Sequence, residues 1–313
     1  MPTVVITGAG GFIGRHVVRE AERRGLTLRL TAHRSQVRTS GAPGTTIVPA
    51  DLTDPDSLHG LCDGADALLH CASQIGGPDA LCEAVNARGT AALVTEARRA
   101  GVARIVQLST AAVYGRGTFA RARPQDLDRA PVSATSRTRA TGEDAVLAAG
   151  GTVVRPHLVY GEGDTRVAPA LARLLRNLPG TVEGWRARVS LIAAEDLARA
   201  LVAAALAPGD RLTAPVYHAC HPEAVPWHTV LSAVGEAASI PWPERDLTLD
   251  EAYEWLRAQG GSRHDLDMLV TDHWFDGDPL WHDLDCAPGA FSERFAQHGS
   301  WYRRTLTPAA TAV

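Results

Sequence analysis

The chain has 313 residues, 45% of them hydrophobic, which is enough to bury a full core in one large domain or two intimately joined ones. Its net charge of -4 and pI near 6.3 offer no basic field to a phosphate backbone, which argues against nucleic acid. The most apolar stretch, residues 197–207, is broken by Arg199 and too short to span a bilayer, so no membrane role is expected.

From Met1 the sequence runs directly into a β-branched strand pattern at residues 3–6, without a signal-peptide layout. Thr7-Gly8-Ala9-Gly10-Gly11-Phe12-Ile13-Gly14 follows, and Ile13, Val17, Val18 and Ala21 then recur at helical spacing. Strand, glycine turn and helix in that order predict a nucleotide cradle. A pyrophosphate needs close backbone approach without Cβ atoms and free amide N–H groups at a helix N-terminus, and Gly8, Gly11 and Gly14 meet that need. The spacing is G-x-x-G-x-x-G rather than G-x-G-x-x-G, so the flanking elements carry the argument more than the glycines do.

Residues 26–32 read as the second strand, whose end distinguishes the two nicotinamide cofactors. An NAD site places a carboxylate there for the ribose 2′-OH. This chain has His33-Arg34-Ser35, and Arg34, helped by Arg38 or Arg15, suits a 2′-phosphate; the expected cofactor is therefore NADP(H). A solvated loop arginine is the alternative. A third strand at 46–49 leads to Asp51 and Leu52, placed for the adenine edge and ring face, unless Asp51 simply caps the next helix. The fourth strand, 67–70, runs into Cys71-Ala72-Ser73-Gln74, and His70 inside it reads as a core histidine rather than a catalytic base.

A helix holding Asn86, Gly89, Thr90, Leu93 and Ala97 precedes a fifth strand at 104–109. This alternation predicts an α/β fold, a Rossmann-type doubly wound parallel sheet with a smaller, mostly helical C-terminal lobe for the substrate. Ligands bind beyond the carboxyl ends of such strands, so segments 8–14, 72–74 and 109–114 should converge.

These motifs, with Leu108-Ser109-Thr110-Ala111-Ala112-Val113-Tyr114-Gly115, Val154-Arg155-Pro156-x-x-Val159-Tyr160-Gly161 and a closing Trp301-Tyr302, resemble the extended and atypical short-chain dehydrogenase/reductases, which include nucleotide-sugar epimerases and dehydratases. The resemblance covers residues 1–220 well and the remainder loosely. It implies that Gly10, Phe12 and Ile13 join the cradle, that Cys71, Ala72, Ser73 and Leu108 contact the cofactor, and that Pro156, His157 and Val159 border the nicotinamide, where His157 contacts its amide or the substrate unless it is a plain loop residue. The family's catalytic set is a Ser or Thr after the fifth strand with Tyr-x-x-x-Lys on the next helix; the first matches Thr110, while the tyrosine and lysine positions hold Thr135 and Arg139. Arg139 keeps a cation for the ribose, but a threonine hydroxyl is too weak an acid to replace a tuned phenol.

With that dyad missing, Thr110, Ser73, Gln74 and Tyr114 remain as groups to polarise a carbonyl, Tyr114 having packing as its alternative role. The resemblance extends to ketoreductases that tailor bacterial aromatic polyketides, which implies a small-molecule aromatic ketone as substrate, its own phenol supplying the proton. A catalytically silent NADP-binding sensor or scaffold, or an epimerase/dehydratase, are the rival readings.

Residues 162–188 lose the strand–helix alternation and read as a lid with a helix at 167–176; 189–192, the helix 195–206 and the strand 216–219 are expected to return to the core sheet. The expected division is 1–163 plus 189–221 for the nucleotide, and 164–188 plus 222–313 for the substrate. Six of the seven tryptophans follow residue 226, either as a flat wall for an aromatic ligand or as the core of the helical lobe. His264, Asp265, Asp267, Asp272, His273, Asp276, Asp278, His282, Asp283 and Asp285 lack metal-ligand spacing and read as a solvated acidic surface with helix caps, so no metal is expected. Five cysteines, Cys62, Cys71, Cys82, Cys220 and Cys286, contain no Cys-x-x-Cys pair and suit a reducing cytoplasm; all 31 basic residues are arginine, which removes every lysine-dependent mechanism. An oligomer is compatible with the sequence but nothing in it specifies one.

Overall fold

The computed structural model describes residues 1–260 and 263–307. Seven strands form the central sheet: β1 (Thr3–Thr7), β2 (Thr27–Ala32), β3 (Thr45–Pro49), β4 (Ala67–His70), β5 (Arg104–Leu108), β6 (Thr152–Pro156) and β7 (Val216–Ala219). They lie in the order β7-β6-β5-β4-β1-β2-β3, every pair parallel. β4 and β6 are buried along their whole length and β1 nearly so, which is why they read as continuous apolar runs rather than alternating ones.

Two helical layers cover the sheet. On one face α1 (Phe12–Arg23) packs Val17, Val18 and Ala21 against Ala198, Leu201 and Ala205 of a long helix, Ala194–Leu206. On the other, α2 (Thr90–Arg99) and α3 (Ala134–Ala148) place Leu93, Val94, Ala97 and Val146 over Val5, Leu68, Ile105 and Val153. Because successive strands run outward from β1 in one direction and from β4 in the other, the two crossovers diverge at their carboxyl ends. A crevice opens there.

The chain leading into α2 contains a π-helical turn, Glu83–Gly89. Glycines permit close packing around it: a Cβ on Gly89 would stand 2.6 Å from the Leu52 carbonyl oxygen, and one on Gly142 of α3 would stand 2.3 Å from that of Asn86. This contact fixes α3 beside the end of β4.

The C-terminal part departs from the expected pattern in its strands and its acidic segment, while its tryptophans follow one of the two expected readings. Residues 189–192 do not rejoin the central sheet: Arg188–Val189 pairs with Val225–Pro226 and with His273–Phe275, which in turn pairs with Phe119–Ala122, and Leu191–Ala193 pairs with Leu158–Tyr160. The lobe is thus a small four-stranded sheet and two strand pairs among helices, the second joining Thr181–Val182 to Asp246–Leu247, built from strands too short to show a period. The tryptophans are packing groups. Trp185 and Trp227 fill the lobe's core and Trp281 the core under β7, while Trp242 and Trp255 face outward. The acidic segment is not wholly solvated. Asp276 is buried in an ion pair with Arg123, and Asp283 is buried accepting hydrogen bonds from Tyr217 and Thr213. The side chains of His264 and Asp265 lie outside the described residues. Among the described residues no helix is long and apolar enough to cross a membrane, and no cluster of His, Cys, Asp or Glu is arranged to hold a metal ion.

Candidate active site

The crevice is a cleft of about 530 Å³, and apart from Arg15 and Arg38 every residue expected to contact a nucleotide lines it. Its floor is the turn between β1 and α1. Gly8 has φ of 71°, and a Cβ there would stand 2.6 Å from the Ala72 backbone nitrogen; one on Gly14 would stand 2.0 Å from the Gly8 carbonyl oxygen. Those two glycines are required by the turn's own packing. Gly11 is the exposed one, capping α1 with no side-chain acceptor for the first-turn N–H groups. A cradle of this kind fits a pyrophosphate.

At the end of β2, Arg34 lines the cleft with no ion-pair partner among the described residues, and His33 Nε2 lies 3.2 Å from Asp51 Oδ2. Asp51 Oδ1 accepts from Thr53 N at 2.9 Å and Thr53 Oγ1 at 2.8 Å, which holds its carboxyl below the usual range. It does not cap the next helix; Asp54 does. Neither Arg38 nor Arg15 lines the cleft, and Arg15 instead reaches back to the Gly11 carbonyl.

The end of β4 is pinned from below. His70 places Nδ1 2.6 Å from Thr7 Oγ1 and Nε2 3.0 Å from Thr90 Oγ1, and burial pushes its pKa down to about 4, so it is a neutral core residue as expected. Burial likewise pushes the Cys71 thiol up to about 12, which makes it inert. Ser73 and Gln74 line the cleft with committed polar atoms: Asn86 Oδ1 accepts from Gln74 N and Ser73 Oγ, and Gln74 Nε2 donates to the Gly76 carbonyl.

Past β5, Thr110 caps the short helical turn Ala111–Tyr114, its Oγ1 accepting from Ala112 N at 3.2 Å. The hydroxyl proton is left for the cleft. Tyr114 is not in the cleft. The turn winds its ring under the sheet, where its hydroxyl accepts from Arg155 Nη1 and pairs with His218 Nε2, each at 2.7 Å. Arg155 donates to both oxygens of buried Glu143, which also accepts from Ser109. Tyr114 is a buried structural group, a correction to its candidacy for chemistry.

On α3, Thr135 does not reach the cleft. Its Oγ1 accepts from Gly76 N at 2.9 Å, fastening the loop after β4. Arg139, one turn further, does reach it, with Nη2 donating to the Leu108 carbonyl at 2.8 Å. Burial lowers its pKa only to about 10, so the guanidinium stays charged. Beyond β6, His157 lines the same end, and its ring stacks on His273 at 5.9 Å and 7°.

Sequence reasoning missed the walls. Ile75, Leu81 and Val85 form an apolar side near Thr135, and Thr165, Arg166 and Val167 stand at the mouth. The signal for the latter was Asp164 ahead of the apolar helix Val167–Asn177: its carboxylate accepts from the N–H groups of Arg166, Val167 and Ala168, all at 2.8 Å. No tryptophan lines the cleft.

A model of the NAD dependent epimerase/dehydratase family matches residues 4–219. The 2-alkyl-3-oxoalkanoate reductase of Stenotrophomonas maltophilia (strain K279a) is 28% identical over 91% of this chain and 94% of its own length. The 4-hydroxy-2-methyl-3-oxo-4-farnesyl-3,4-dihydroquinoline-1-oxide ketoreductase of Stigmatella aurantiaca is 29% identical over 55% of this chain and 54% of its own. Among solved structures, the Bordetella bronchiseptica enzyme WbmH in complex with NAD+ has the same fold, with a TM-score of 0.76 over 97% of this chain and 99% of that one at 23% identity.

Proposed function

The chain belongs to the NAD dependent epimerase/dehydratase family, and from that premise we propose that it is an NADPH-dependent ketoreductase acting on a hydroxylated aromatic polyketide, an angucyclinone-like ketone, in antibiotic biosynthesis. The observation that carries this reading is that the cleft retains the cation of the family's dyad and lacks its phenol: Arg139 lines it and Thr135 is turned away. When bound, the cofactor supplies a hydride from its dihydronicotinamide ring. Arg139 holds the adjacent ribose hydroxyls, and Thr110 donates its hydroxyl proton in a hydrogen bond to the ketone oxygen. Fixing two reactants in attack geometry is worth about 7–11 kcal/mol, whereas a general acid contributes roughly 10²–10⁴-fold, so the larger part of the rate survives without the tyrosine. The proton then comes from a phenol beside the substrate's own carbonyl.

Two relatives bear on the substrate class. Both are named for reduction of an oxo group, and the name of the second places a hydroxyl on the carbon next to it. Arg34 lines the cleft with no ion-pair partner among the described residues, which favours NADPH over NADH. Residues 1–163 with 189–221 hold the nucleotide and 164–188 with 222–313 the ketone, in a cytoplasmic protein.

Stopped-flow oxidation of NADPH with a panel of hydroxyquinones, each matched to an analogue lacking the neighbouring hydroxyl, tests this. Turnover is expected only where that hydroxyl is present. Binding of NADPH with no oxidation by any member would instead mark a silent sensor. Arg34→Asp should reduce the preference for NADPH about tenfold or more, because a charge-assisted bond becomes a repulsion; an unchanged preference would remove the NADP(H) assignment.

A further inference from the structure

One polar group at the reacting end of the cleft is used by neither the cradle nor Arg139. His157 directly follows β6. The Ser109 N–H donates to the Val154 carbonyl at 2.7 Å, a register that sets the ends of β5 and β6 level, so His157 and Thr110 line the same end. His157 Nε2 is buried and has no hydrogen-bond partner among the described residues. The ring is held between the parallel face of His273 and the edge-on ring of Phe275 at 5.5 Å. Burial, with the imidazoles of His273 and His218 nearby, pushes its pKa down to about 3, so it is neutral in the physiological range.

A neutral imidazole carries one N–H, and its place can be argued. A proton on Nε2 would be a buried donor without an acceptor, at a cost of about 1–3 kcal/mol, and orphaned N–H groups are rarer than under-used acceptors. The proton therefore belongs on Nδ1. Since the ring lines the cleft and Nε2 is sealed, Nδ1 is the nitrogen left to face a ligand.

We propose that His157, as the neutral Nδ1–H tautomer, donates a hydrogen bond to the substrate's carbonyl oxygen alongside Thr110 and is a catalytic residue of this enzyme. The proposal rests on the ketoreductase reading above. In the reduction, the carbonyl carbon gains a hydrogen with its electron pair from the reduced nicotinamide, which is oxidised, and the C–O π pair moves onto oxygen. The bonds from His157 Nδ1 and Thr110 Oγ1 strengthen as that charge develops. The oxygen then takes the proton of the substrate's neighbouring phenol, and the resulting phenolate is reprotonated from water. His157 keeps its proton throughout, because a neutral imidazole is far too weak an acid to release it. It stabilises charge, and the substrate supplies the proton.

Two measurements test this. Imidazole ¹⁵N spectra, with the His157 signals identified by their loss in His157→Phe, should show a neutral Nδ1–H tautomer across about pH 5–8; an Nε2–H tautomer or an imidazolium overturns the assignment. Single-turnover oxidation of saturating NADPH with a hydroxyquinone that the wild type reduces should slow about 10²–10³-fold in His157→Phe, with an unchanged far-UV circular dichroism spectrum as the check on folding. His157→Asn, whose amide N–H lies near the place of Nδ1–H, should recover part of that loss. An unchanged rate in His157→Phe overturns the proposal while leaving the ketoreductase reading intact. If the wild type itself oxidises no NADPH with any ketone, that reading is what fails, and the role of His157 falls with it.

Discussion

Replacing Thr135 by valine should barely touch turnover. Its hydroxyl accepts a hydrogen bond from Gly76 N, an exposed loop amide that water can satisfy instead, so the expected cost is about 0.5–1 kcal/mol of stability, read as a small fall in Tm. The kcat for NADPH oxidation should stay at the wild-type value. A loss on the general-acid scale, about 10²–10⁴-fold, would instead make Thr135 a proton donor and remove the need for the substrate's phenol. Arg139 differs because its charge survives burial: a pKa near 10 still leaves it fully protonated at neutral pH, so the position keeps electrostatic grip on a ribose while losing the ability to pass a proton. The two positions of the missing dyad have therefore separated, one fastening a loop and one facing the cleft.

The turn after β5, α3 and β6 are tied together by the buried chain Ser109, Glu143, Arg155, Tyr114 and His218. Tyr114→Phe leaves Arg155 Nη1 and His218 Nε2 without that partner, which should destabilise the fold by about 1–3 kcal/mol in urea unfolding and leave NADPH affinity unchanged. Abolished turnover with no loss of stability would return Tyr114 to the chemistry. The motif containing Tyr114 was legible, but the direction of its ring was not, because that is decided by a single helical turn after Thr110. The β1–α1 cradle was legible because a continuous β-branched run changes to a helical period across Gly8 to Gly14, and the ends of β2 and β4 because cofactor chemistry constrains them. The strands Arg188–Val189, Val225–Pro226 and His273–Phe275 were not, since two or three residues cannot display a period. Tryptophan content after residue 226 did not say what each ring would meet: Trp227 packs in the lobe's own core and Trp281 under β7, while Trp242 and Trp255 face outward.

Several histidines are held neutral by this fold, and the molecule's acid stability follows from them. His70 and His218, each 2% exposed, have pKa values pushed down by burial to about 4 and about 3, against 6.5 when unfolded, and His16 and His221 are lowered for the same reason. A depressed imidazole pKa means that the unfolded chain binds more protons below 6.5. The stabilisation is complete above that pH and is lost as the pH falls from there through the folded values. His70 and His218 alone give a slope of up to about 2.7 kcal/mol per pH unit. Carboxylates with lowered pKa, such as Glu20 and Glu96, act in the same direction but only below about 4.5, so loss of stability beginning near pH 6 isolates the imidazoles. Urea unfolding from pH 8 to pH 4.5 should be flat to about pH 6.5 and then fall; a flat profile down to about pH 5 would contradict the burial of neutral histidines. The position of His70 adds a coupling to the ligand, since it links Thr7 of β1 to Thr90 directly beneath the nucleotide cradle. NADPH at about 100 times its Kd should add about 2.7 kcal/mol to the folded state, comparable with the loss over one pH unit, and so move the acid midpoint down by about one unit. A midpoint that ignores saturating NADPH would mean that the cradle does not bind it.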